Sequence, residues 1–461
     1  MKIFHLKPNL TYATSLINSS LYLFHVFILT LFFFSGYLHG QSKFVLPVGE
    51  KSEIIKFRLA GNLIVVPVMV NGAKLSFILD SGVNYPIMFN LTKNDSLEIK
   101  NVSKIILKGL GIDLPVNAYR STGNNFRIGN IENRNQHLYV VIDEKINFSP
   151  ILGFPVHGII GYEFFRDFIV DVNYARRKIK IYKPEGYKHL KCRKCETFNL
   201  ELLNNKPFIN ASVELGKEKI SHLKLLIDSG SSDALWLINN ANKNIKTPEK
   251  NFEDFLGFGI SGSVYGKRAR AERFTLGGHI LNDVKVAFPD STSLQYVYDK
   301  NERDGSIGGD ILKRFRVIFD YNANKITLKR NATFKKPFRF NMSGIQLEYN
   351  GSRIVRELET VNNIPGTVDE DTYGKAKILT GYRFSFRPAY EIVEIRDGSP
   401  AALAGIRKND VVLAVNGKYV DENSLEEVIE MIDKKPGKTI RIKVQRRLEE
   451  LLFVFTLKKV L

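Results

Sequence analysis

The chain has 461 residues, of which 44% are hydrophobic and 25% are charged, and only 16 are proline. This composition excludes an intrinsically disordered chain, and the length predicts about three domains. The formal net charge of +19 would suit a nucleic-acid partner, but Lys and Arg are spread along the chain, with no basic stripe and no nucleic-acid-binding motif. The sequence therefore predicts a globular protein with no nucleic-acid partner.

The first forty residues have the pattern of a targeting segment. Lys2 and Lys7 precede an apolar run from Leu21 to Leu38, and Gly40 and Gln41 open a polar segment. This pattern is typical of a secretory signal that is cleaved near Gly40. The alternative is an uncleaved membrane anchor, because an apolar run of about 18 residues is at the lower limit for spanning a bilayer. Under either interpretation we expect the rest of the chain in the periplasm, the cell envelope or the extracellular space.

An internal repeat spans roughly residues 50–330. Asp80-Ser81-Gly82 follows an apolar run, and Asp228-Ser229-Gly230 follows another such run 148 positions later. Three further motifs recur in the same order at an offset of 148 or 147, namely 109–112 at 257–260, 126–129 at 274–277, and 158–161 at 305–308. Four motifs in one order at nearly one offset predict two structurally equivalent lobes.

Both lobes are predicted to be rich in β-strands. Leu63–Val70, Phe168–Asn173 and Phe315–Asp320 are rich in β-branched and aromatic residues and are bounded by Gly, Asn or Asp. The alternating runs Lys178–Tyr182 and Lys325–Leu328 each close a lobe. Helix is predicted only in short segments after residues 161–165 and 308–312.

The repeated Asp-Ser-Gly motif predicts a pair of carboxylates. One copy alone is more often an ordinary β-turn. Two equivalent lobes packed about a pseudo-two-fold axis, however, would bring Asp80 against Asp228. Two carboxyl groups at such a short distance from each other cannot both ionise, so the pair would hold one proton. The ionised member could then act as general base on a water while the protonated member donates to a carbonyl oxygen.

The order of these motifs resembles that of the retropepsin-like and pepsin-like aspartic peptidases. The resemblance implies that Asp80 and Asp228 are the catalytic dyad and that Ser81 and Ser229 brace it. The remaining loop residues would support the dyad, namely Gly82, Gly230 and Ser231. The sequence departs from the family at Val83, where the family usually has a small or hydroxyl residue, and this puts the support of Asp80 in doubt.

The resemblance also implies two flaps, which are Gly-rich hairpins over the substrate. Their tips would be formed by Gly109, Gly111 and Ile112 in the first lobe and by Gly257, Gly259 and Ile260 in the second. A flap in each lobe is the arrangement of a fused retropepsin dimer, since pepsin has one flap. The alternative is that both segments are ordinary hairpin turns.

The chain has two cysteines. Cys192 lies three positions after His189, and Cys195 lies six positions after it. In an oxidising compartment a local disulfide is the simplest interpretation. A zinc site would need a fourth ligand, and none lies nearby in the sequence. A redox role would need a βαβ pattern around the pair, which is also missing from the sequence.

Residues 331–461 lie outside the repeat. Tyr390–Gly417 is predicted as a strand, a turn, a short helix that ends at Gly405, and a strand that ends in an Asn-Gly turn. Asn423 or Ser424 would then cap an amphipathic helix to about Asp433, and Thr439–Val444 would return as a strand.

This order resembles a PDZ domain. The resemblance implies that Met342, Ser343, Gly344 and Ile345 form the loop that binds a peptide terminus, before an edge strand at residues 346–349. PDZ domains bind an extended peptide by adding it to a sheet edge. The polar insertion at 350–385 departs from a compact PDZ domain, and a purely structural role is the alternative.

The sequence thus predicts a mainly β chain, with a bilobal acid-protease β-barrel fold followed by a PDZ-like α+β domain. The expected limits are 1–40 for the signal or anchor, 41–187 and 188–333 for the lobes, and 334–461 for the PDZ-like domain. The expected activity is that of a monomeric aspartic endopeptidase that uses no metal or other cofactor and acts on protein or peptide substrates. The alternative is an inactive peptidase scaffold that binds peptides, or an envelope adaptor.

Overall fold

The computed structural model describes residues 42–91, 97–143, 146–188, 192, 194–296, 303–361 and 379–461. The predicted signal or anchor at 1–40 and His189 lie outside these residues. Among the residues that are described, no helix has both the length and the apolar character needed to cross a membrane. Lys43–Leu461 form one compact unit that includes both lobes and the C-terminal domain.

Within its described residues the first lobe contributes eleven strands. They are β1 (Ser52–Lys56), β2 (Arg58–Ala60), β3 (Leu63–Val70), β4 (Ala73–Leu79), β5 (Ile87–Met88), β6 (Ser103–Leu107), β7 (Val116–Ile128), β8 (Ile131–Val141), β9 (Gly158–Ile160), β10 (Ile169–Asn173) and β11 (Lys178–Tyr182). Two short helices, α1 (Ser149–Leu152) and α2 (Tyr162–Asp167), and a 3₁₀ turn at Tyr174–Arg176 connect them.

The described part of the second lobe also contributes eleven strands. They are β12 (Cys195–Asn199), β13 (Glu201–Leu203), β14 (Lys206–Leu215), β15 (Glu218–Ile227), β16 (Leu235–Leu237), β17 (Asn251–Gly259), β18 (Gly262–Leu276), β19 (His279–Pro289), β20 (Gly305–Ile307), β21 (Phe315–Asp320) and β22 (Lys325–Arg330). Its helices are α3 (Ser291–Leu294) and α4 (Gly309–Leu312), with a 3₁₀ turn at Ala241–Lys243.

The two lobes have the same topology. The sheet of lobe 1 has the strand order β2-β3-β4-β9-β5-β8-β7-β6, and the sheet of lobe 2 has the order β13-β14-β15-β20-β16-β19-β18-β17. Each strand of the first list corresponds to the strand numbered eleven higher in the second list. The extra pairing of β3 with β7 likewise has its counterpart in β14 and β18. The structure is mainly β, as predicted, and the repeated motifs occupy equivalent places in the two sheets.

A third sheet joins the lobes. Its order is β1-β11-β10-β21-β22-β12, so that three strands come from each lobe. At its centre β10 pairs antiparallel with β21, from Ile169 opposite Asp320 to Asn173 opposite Arg316. The backbone hydrogen bonds of this ladder hold the two lobes together.

The apolar strands are explained by burial on both faces. Along β3, Ile64, Val66 and Val68 lie in the main core, whereas Val65 lies in a smaller apolar cluster of lobe 1. Because successive side chains of a strand point to opposite faces, both faces of β3 are covered, and its sequence is nearly all apolar. The main core is continuous between the lobes, since it includes Phe165 of lobe 1 and Phe319 of lobe 2, which pack edge to face.

Short helices begin earlier than the sequence predicted. We expected helix after residues 161–165 and 308–312, but α2 begins at Tyr162 and α4 begins at Gly309. Each helix begins one glycine after a three-residue strand, and each has an apolar residue in the main core, namely Phe164 in α2 and Ile311 in α4. Packing of these apolar side chains therefore outweighs the low helix propensity of residues such as Gly309.

The C-terminal domain has its own sheet and core. Its strands are β23 (Ile345–Val361), β24 (Leu379–Ile395), β25 (Val411–Val415), β26 (Lys418–Tyr419), β27 (Thr439–Arg446) and β28 (Glu449–Thr456), and its helices are α5 (Pro400–Leu403) and α6 (Leu425–Ile432). The sheet order is β23-β24-β25-β27-β28, and β26 pairs with β25. The strand β23 is therefore at one edge of the sheet.

Local sequence signals define the elements of this domain. Asn416 and Gly417 both have positive φ and connect β25 to β26 in a two-residue turn. Ser424 is the N-cap of α6, because it accepts the N–H of Glu427, while the Glu427 carboxylate accepts the N–H of Ser424 over 2.7 Å. The predicted insertion begins as a continuation of β23 and ends as the start of β24, with residues 362–378 outside the described part of the chain.

Candidate active site

The two Asp-Ser-Gly loops follow equivalent strands, β4 in lobe 1 and β15 in lobe 2. Each of these strands pairs in parallel with a short strand, β9 or β20. The backbone N–H of Asp80 donates to the carbonyl of Ile160 over 2.8 Å, and that of Asp228 donates to Ile307 over 2.9 Å. Both aspartates therefore extend the parallel pairing by one hydrogen bond and leave their sheets at the same point.

The glycine after each serine orients the carboxylate and allows the loops to meet. The N–H of Gly82 donates to Asp80 Oδ1 over 2.7 Å, and that of Gly230 donates to Asp228 Oδ1 over 3.1 Å. A Cβ on Gly230 would lie 2.2 Å from the carboxyl carbon of Asp80, so a larger residue would force the loops apart. A Cβ on Gly82 would lie 3.2 Å from Asp80 Oδ1 and 3.7 Å from Asp228 Oδ1. The two carboxyl groups therefore border the same small space.

The two serines connect the loops by four hydrogen bonds that cross between the lobes. Ser81 Oγ donates to the carbonyl of Ile227 over 2.6 Å and accepts the N–H of Ser229 over 3.1 Å. Ser229 Oγ donates to the carbonyl of Leu79 over 2.9 Å and accepts the N–H of Ser81 over 3.0 Å. Both side chains are almost fully buried. This reciprocal pattern fixes the separation of the two strand ends.

The electrostatic environment favours a shared proton. Burial raises the pKa of Asp80, and the charge of Asp228 raises it further, to about 7. Burial also raises the pKa of Asp228, against the opposing influence of Arg303 and of backbone N–H donors. Because both carboxyl groups are buried and the charge of Asp228 opposes ionisation of Asp80, the pair retains a proton up to near-neutral pH.

Val83 keeps the backbone contacts that Ser231 makes in the other lobe. The N–H of Val83 donates to the carbonyl of Asp80 over 3.5 Å, and its carbonyl accepts the N–H of Tyr162 over 2.8 Å. Ser231 makes the same two contacts in lobe 2, with Asp228 over 3.3 Å and with Gly309 over 2.7 Å. The side chain of Val83 packs against the small apolar cluster of lobe 1. The departure from the family therefore removes a hydroxyl group but preserves the turn.

A buried tyrosine near the dyad was missed from the sequence. Tyr321 follows β21 and stacks on Tyr162 of lobe 1, with ring centroids 6.1 Å apart. Its hydroxyl group is buried and has no hydrogen-bond partner among the described residues. Burial, followed by the charge of Asp80, holds the pKa of Tyr321 well above its usual value. The only sequence signal was its position directly after a predicted strand of the repeat.

The predicted flap segments meet each other at their tips. In lobe 2 the hairpin of β17 and β18 turns at Ile260 and Ser261. The N–H of Ser261 donates to the carbonyl of Leu110 over 2.9 Å, and its carbonyl accepts the N–H of Asp113 over 2.8 Å. Its hydroxyl accepts the N–H of Gly109 over 3.2 Å. Ser261, which is 1% exposed, was missed from the sequence although it follows Ile260 directly.

Glycines at the tips are required by the close approach of the two backbones. A Cβ on Gly111 would lie 1.9 Å from the carbonyl oxygen of Ser261, and a Cβ on Gly259 would lie 2.1 Å from that of Leu110. Ile112 donates its N–H to the carbonyl of Ser263 over 3.2 Å. Gly257 differs from the others, because a Cβ there would meet open space. The structure therefore brings together five of the six predicted flap residues, and their role over a substrate stays a prediction.

The loop predicted to bind a peptide terminus is closed. Met342, Ser343, Gly344 and Ile345 are all buried. The N–H of Gly344 donates to Asn341 Oδ1 over 3.0 Å, and that of Ile345 donates to Ser343 Oγ over 3.2 Å. A Cβ on Gly344 would lie 2.3 Å from the side chain of Ser399, at the start of α5. Two N–H donors that a peptide carboxylate would need are thus used within the domain.

Cys192 and Cys195 form a disulfide, with a Cα–Cα distance of 5.2 Å. The third residue of the alternative zinc site, His189, lies outside the described residues. In the described part of the chain no group of three or more His, Cys, Asp or Glu side chains could hold a metal ion.

Models of two known protein families match parts of this chain. The aspartyl protease model matches residues 66–164, which include the first Asp-Ser-Gly loop, the flap segment of lobe 1 and the first half of α2. The PDZ domain model matches residues 391–446, from the end of β24 to the end of β27. Together with the repeated sheet topology, these matches show that the chain contains an aspartyl protease domain followed by a PDZ domain.

Proposed function

We propose that this chain is an aspartic endopeptidase in which Asp80 and Asp228 form the catalytic dyad. The observation that carries the proposal is the pair itself, two carboxyl groups that border one space, are fixed by reciprocal serine hydrogen bonds, and retain a proton near neutral pH. This combination is what activation of a water between two carboxyl groups requires.

The chemistry follows from the shared proton. The ionised carboxyl group takes a proton from a water, whose oxygen attacks the carbon of the scissile carbonyl. The protonated carboxyl group donates its proton to the carbonyl oxygen, which gives a neutral gem-diol. Breakdown of this intermediate breaks the C–N bond as the amine nitrogen takes a proton from the protonated carboxyl group and a gem-diol hydroxyl gives its proton to the ionised one, which releases a carboxylic acid and an amine and leaves one proton on the dyad. Either aspartate can hold the proton at the start, because the pair titrates as a unit.

Single substitutions test the dyad. We expect the purified protein to cleave an unfolded protein such as reduced casein, and either Asp80→Asn or Asp228→Asn to lower kcat/KM by at least about 10³-fold. Asp283→Asn is the matched control, since Asp283 is exposed and has a positive φ that Asn tolerates. An unsubstituted protein that binds casein but cleaves none at acidic or neutral pH would contradict the proposal and favour a peptide-binding protein on a peptidase scaffold.

We also propose that residues 1–40 direct export and that the chain acts as a monomer. The support for export is the apolar run after Lys2 and Lys7. The support for a monomer is that both aspartates belong to one chain. Mass spectrometry of the native protein tests the first proposal, because a signal peptide predicts a mature N-terminus near Gln41, whereas an anchor predicts an intact N-terminus in the membrane fraction.

A further inference from the structure

A segment of lobe 1 packs against the PDZ domain. The helix α1 lies against β23, the edge strand of the PDZ sheet. Gly153 follows α1, and a Cβ on this residue would lie 2.7 Å from the Cβ of Leu425. Leu425 is the first residue of α6. The segment Phe148–Phe154, which we call the latch segment, therefore contacts both β23 and α6.

These two elements are the ones that a peptide ligand would use. PDZ domains bind an extended peptide along an exposed sheet edge, with side chains of the peptide in adjoining pockets. In this domain β23 has β24 as its only strand partner among the described strands, and α6 packs beside β23. The groove between β23 and α6 is thus where a peptide would be added, and the latch segment is seated against both of its walls.

The latch segment is firmly held by lobe 1. Phe148 packs edge to face on Phe89, with ring centroids 5.1 Å apart, and the guanidinium of Arg58 lies 3.7 Å from the ring centroid of Phe154. Ser149 Oγ accepts the N–H of Val156 over 2.9 Å. These contacts close the segment into a compact loop whose outer side is turned to the PDZ domain.

The latch segment and the flap tips border the same cavity. A cavity of about 940 Å³ is bounded by Pro150 and Ile151 of the latch segment, by Glu348 of β23, and by Asp113 and Ile260 at the two flap tips. The flap tips, the latch segment and the PDZ edge strand are therefore walls of one space. A displacement of the latch segment removes one wall of the space that borders the contact between the flaps.

We propose that the latch segment is a built-in occupant of the PDZ groove and that its contact with α6 restrains the flaps. An extended peptide that enters between β23 and α6 has to displace the latch segment, and the flap tips then separate more readily. The closed loop at Met342–Ile345 agrees with this state, because its N–H groups at Gly344 and Ile345 are engaged within the domain. The inference deepens the proposed function, but the contact itself does not depend on peptidase activity.

Hydrogen exchange on the full chain tests the restraint. Gly153→Ala places a methyl group against Leu425, and we expect exchange at residues 345–349, 109–113 and 260–263 to become about tenfold faster or more. Gly186→Ala is the matched control, because Gly186 has a similar φ of +79°, compared with +73° at Gly153, but faces open space. Equal exchange in the two variants at the flap tips would overturn the proposed restraint.

A disulfide engineered between the latch segment and α6 tests their contact in a variant that keeps the two elements together. Gly153→Cys with Leu425→Cys, in a Cys192→Ser/Cys195→Ser background, should form a disulfide in air, since a shift of about 1 Å brings the two Cβ atoms into bonding range. Gly186→Cys with Leu425→Cys should not form one. The oxidised latch pair should show slower exchange at the flap tips than the same protein after reduction.

The two parts of the proposal fail in different ways. If the latch pair forms no more disulfide than the control pair, the groove is not occupied by this segment and the inference is wrong. If the disulfide forms but flap exchange is the same when oxidised and reduced, the restraint is wrong. Absence of casein cleavage by the unsubstituted protein, with both exchange effects present in the variants, would count against the proposed peptidase activity and leave the latch in place.

Discussion

Ser81 and Ser229 are the residues whose hydrogen bonds cross between the lobes at the dyad. We expect Ser229→Ala to lower the free energy of unfolding by about 1–3 kcal/mol, because it leaves the buried N–H of Ser81 and the carbonyl of Leu79 without partners. Urea unfolding followed by circular dichroism measures this change. Ser103→Ala on the exposed part of β6 is the control and should change stability by less than about 0.5 kcal/mol. A loss at Ser229 no larger than in this control would show that the bonds contribute little.

The raised pKa of Asp80 predicts how stability depends on pH. A folded-state pKa of about 7, above the ordinary value of 3.8, means that the folded protein binds a proton that the unfolded chain has released. Stability should therefore fall as pH rises from about 4 to about 7. Asp80→Asn removes this cost, so its Tm at pH 7 should exceed that of the unsubstituted protein by about 3 °C or more.

Thermal unfolding at a series of pH values measures the effect of Asp80→Asn. The difference in Tm should shrink as pH falls toward 4, because both proteins are then neutral at this position. A difference that does not depend on pH would contradict a raised pKa. For the same reason, we expect cleavage to decline above about pH 7, where the pair loses its last proton.

At the scale of single residues, the sequence was informative where a motif was repeated. The two Asp-Ser-Gly motifs identified the aspartates and serines that the structure brings together. Tyr321 and Ser261 were missed because their positions near the dyad and at the flap contact depend on how the lobes approach each other. The closed loop at Met342–Ile345 was also not foreseen, since the side chains of Asn341 and Ser343 accept the N–H groups of Gly344 and Ile345 there.

The contact between the flap segments depends on glycine. We expect Gly111→Ala to separate the tips, because its Cβ would lie 1.9 Å from the carbonyl oxygen of Ser261. Under the proposed function, kcat/KM for casein should fall about tenfold or more, because misplacement of substrate-positioning groups is costly. Gly257→Ala is the matched control, since φ is +139° there and +132° at Gly111, but its Cβ would meet open space.

Steady-state kinetics with a fluorogenic peptide compares these two flap variants. Both substitutions introduce similar backbone strain, so the difference between them reports the contact between the tips. Equal kcat/KM values in the two variants would show that the interlocked tips are unimportant for cleavage. Circular dichroism checks that both variants remain folded.

Strands were the elements that the sequence predicted best. Leu63–Val70 and Phe315–Asp320 form strands with the predicted bounds, because β-branched and aromatic residues between Gly, Asn and Asp leave few alternatives. The extension of β23 and β24 beyond the PDZ sheet was not predicted. Its aromatic residues Tyr382, Phe384 and Phe386 alternate with polar residues, but their side chains are exposed, so the alternation does not mark a strand face that packs on a core.

The sheet that joins the lobes makes a prediction for the whole molecule. Because β10 and β21 pair within one chain, the two aspartates cannot separate by dissociation of subunits. Under the proposed function, activity per molecule should stay constant when the protein is diluted from micromolar to nanomolar concentration. Progress curves at several enzyme concentrations measure this, with a carrier protein present to prevent adsorption. A fall in specific activity on dilution would indicate that the active form is an oligomer.

The repeat foretold two equivalent lobes, but it did not foretell how they are joined. The central pairing of β10 with β21 and the packing of the latch segment on α6 both depend on complementary surfaces that are distant in sequence. Such contacts have no local signature, since each partner has the composition of an ordinary strand or loop. The resemblance to the PDZ family therefore identified the domain without revealing what lies against its groove.

Joining two copies in one polypeptide has allowed the copies to differ. Val83 occupies the position in lobe 1 that Ser231 occupies in lobe 2. Gly257 has a positive φ and open space beside it, whereas the equivalent Gly109 is crowded by Ile260. A cleft between identical halves offers the same environment to a peptide and to that peptide turned end for end. Here the two directions are inequivalent, so under the proposed function a bound polypeptide would have a preferred N-to-C orientation.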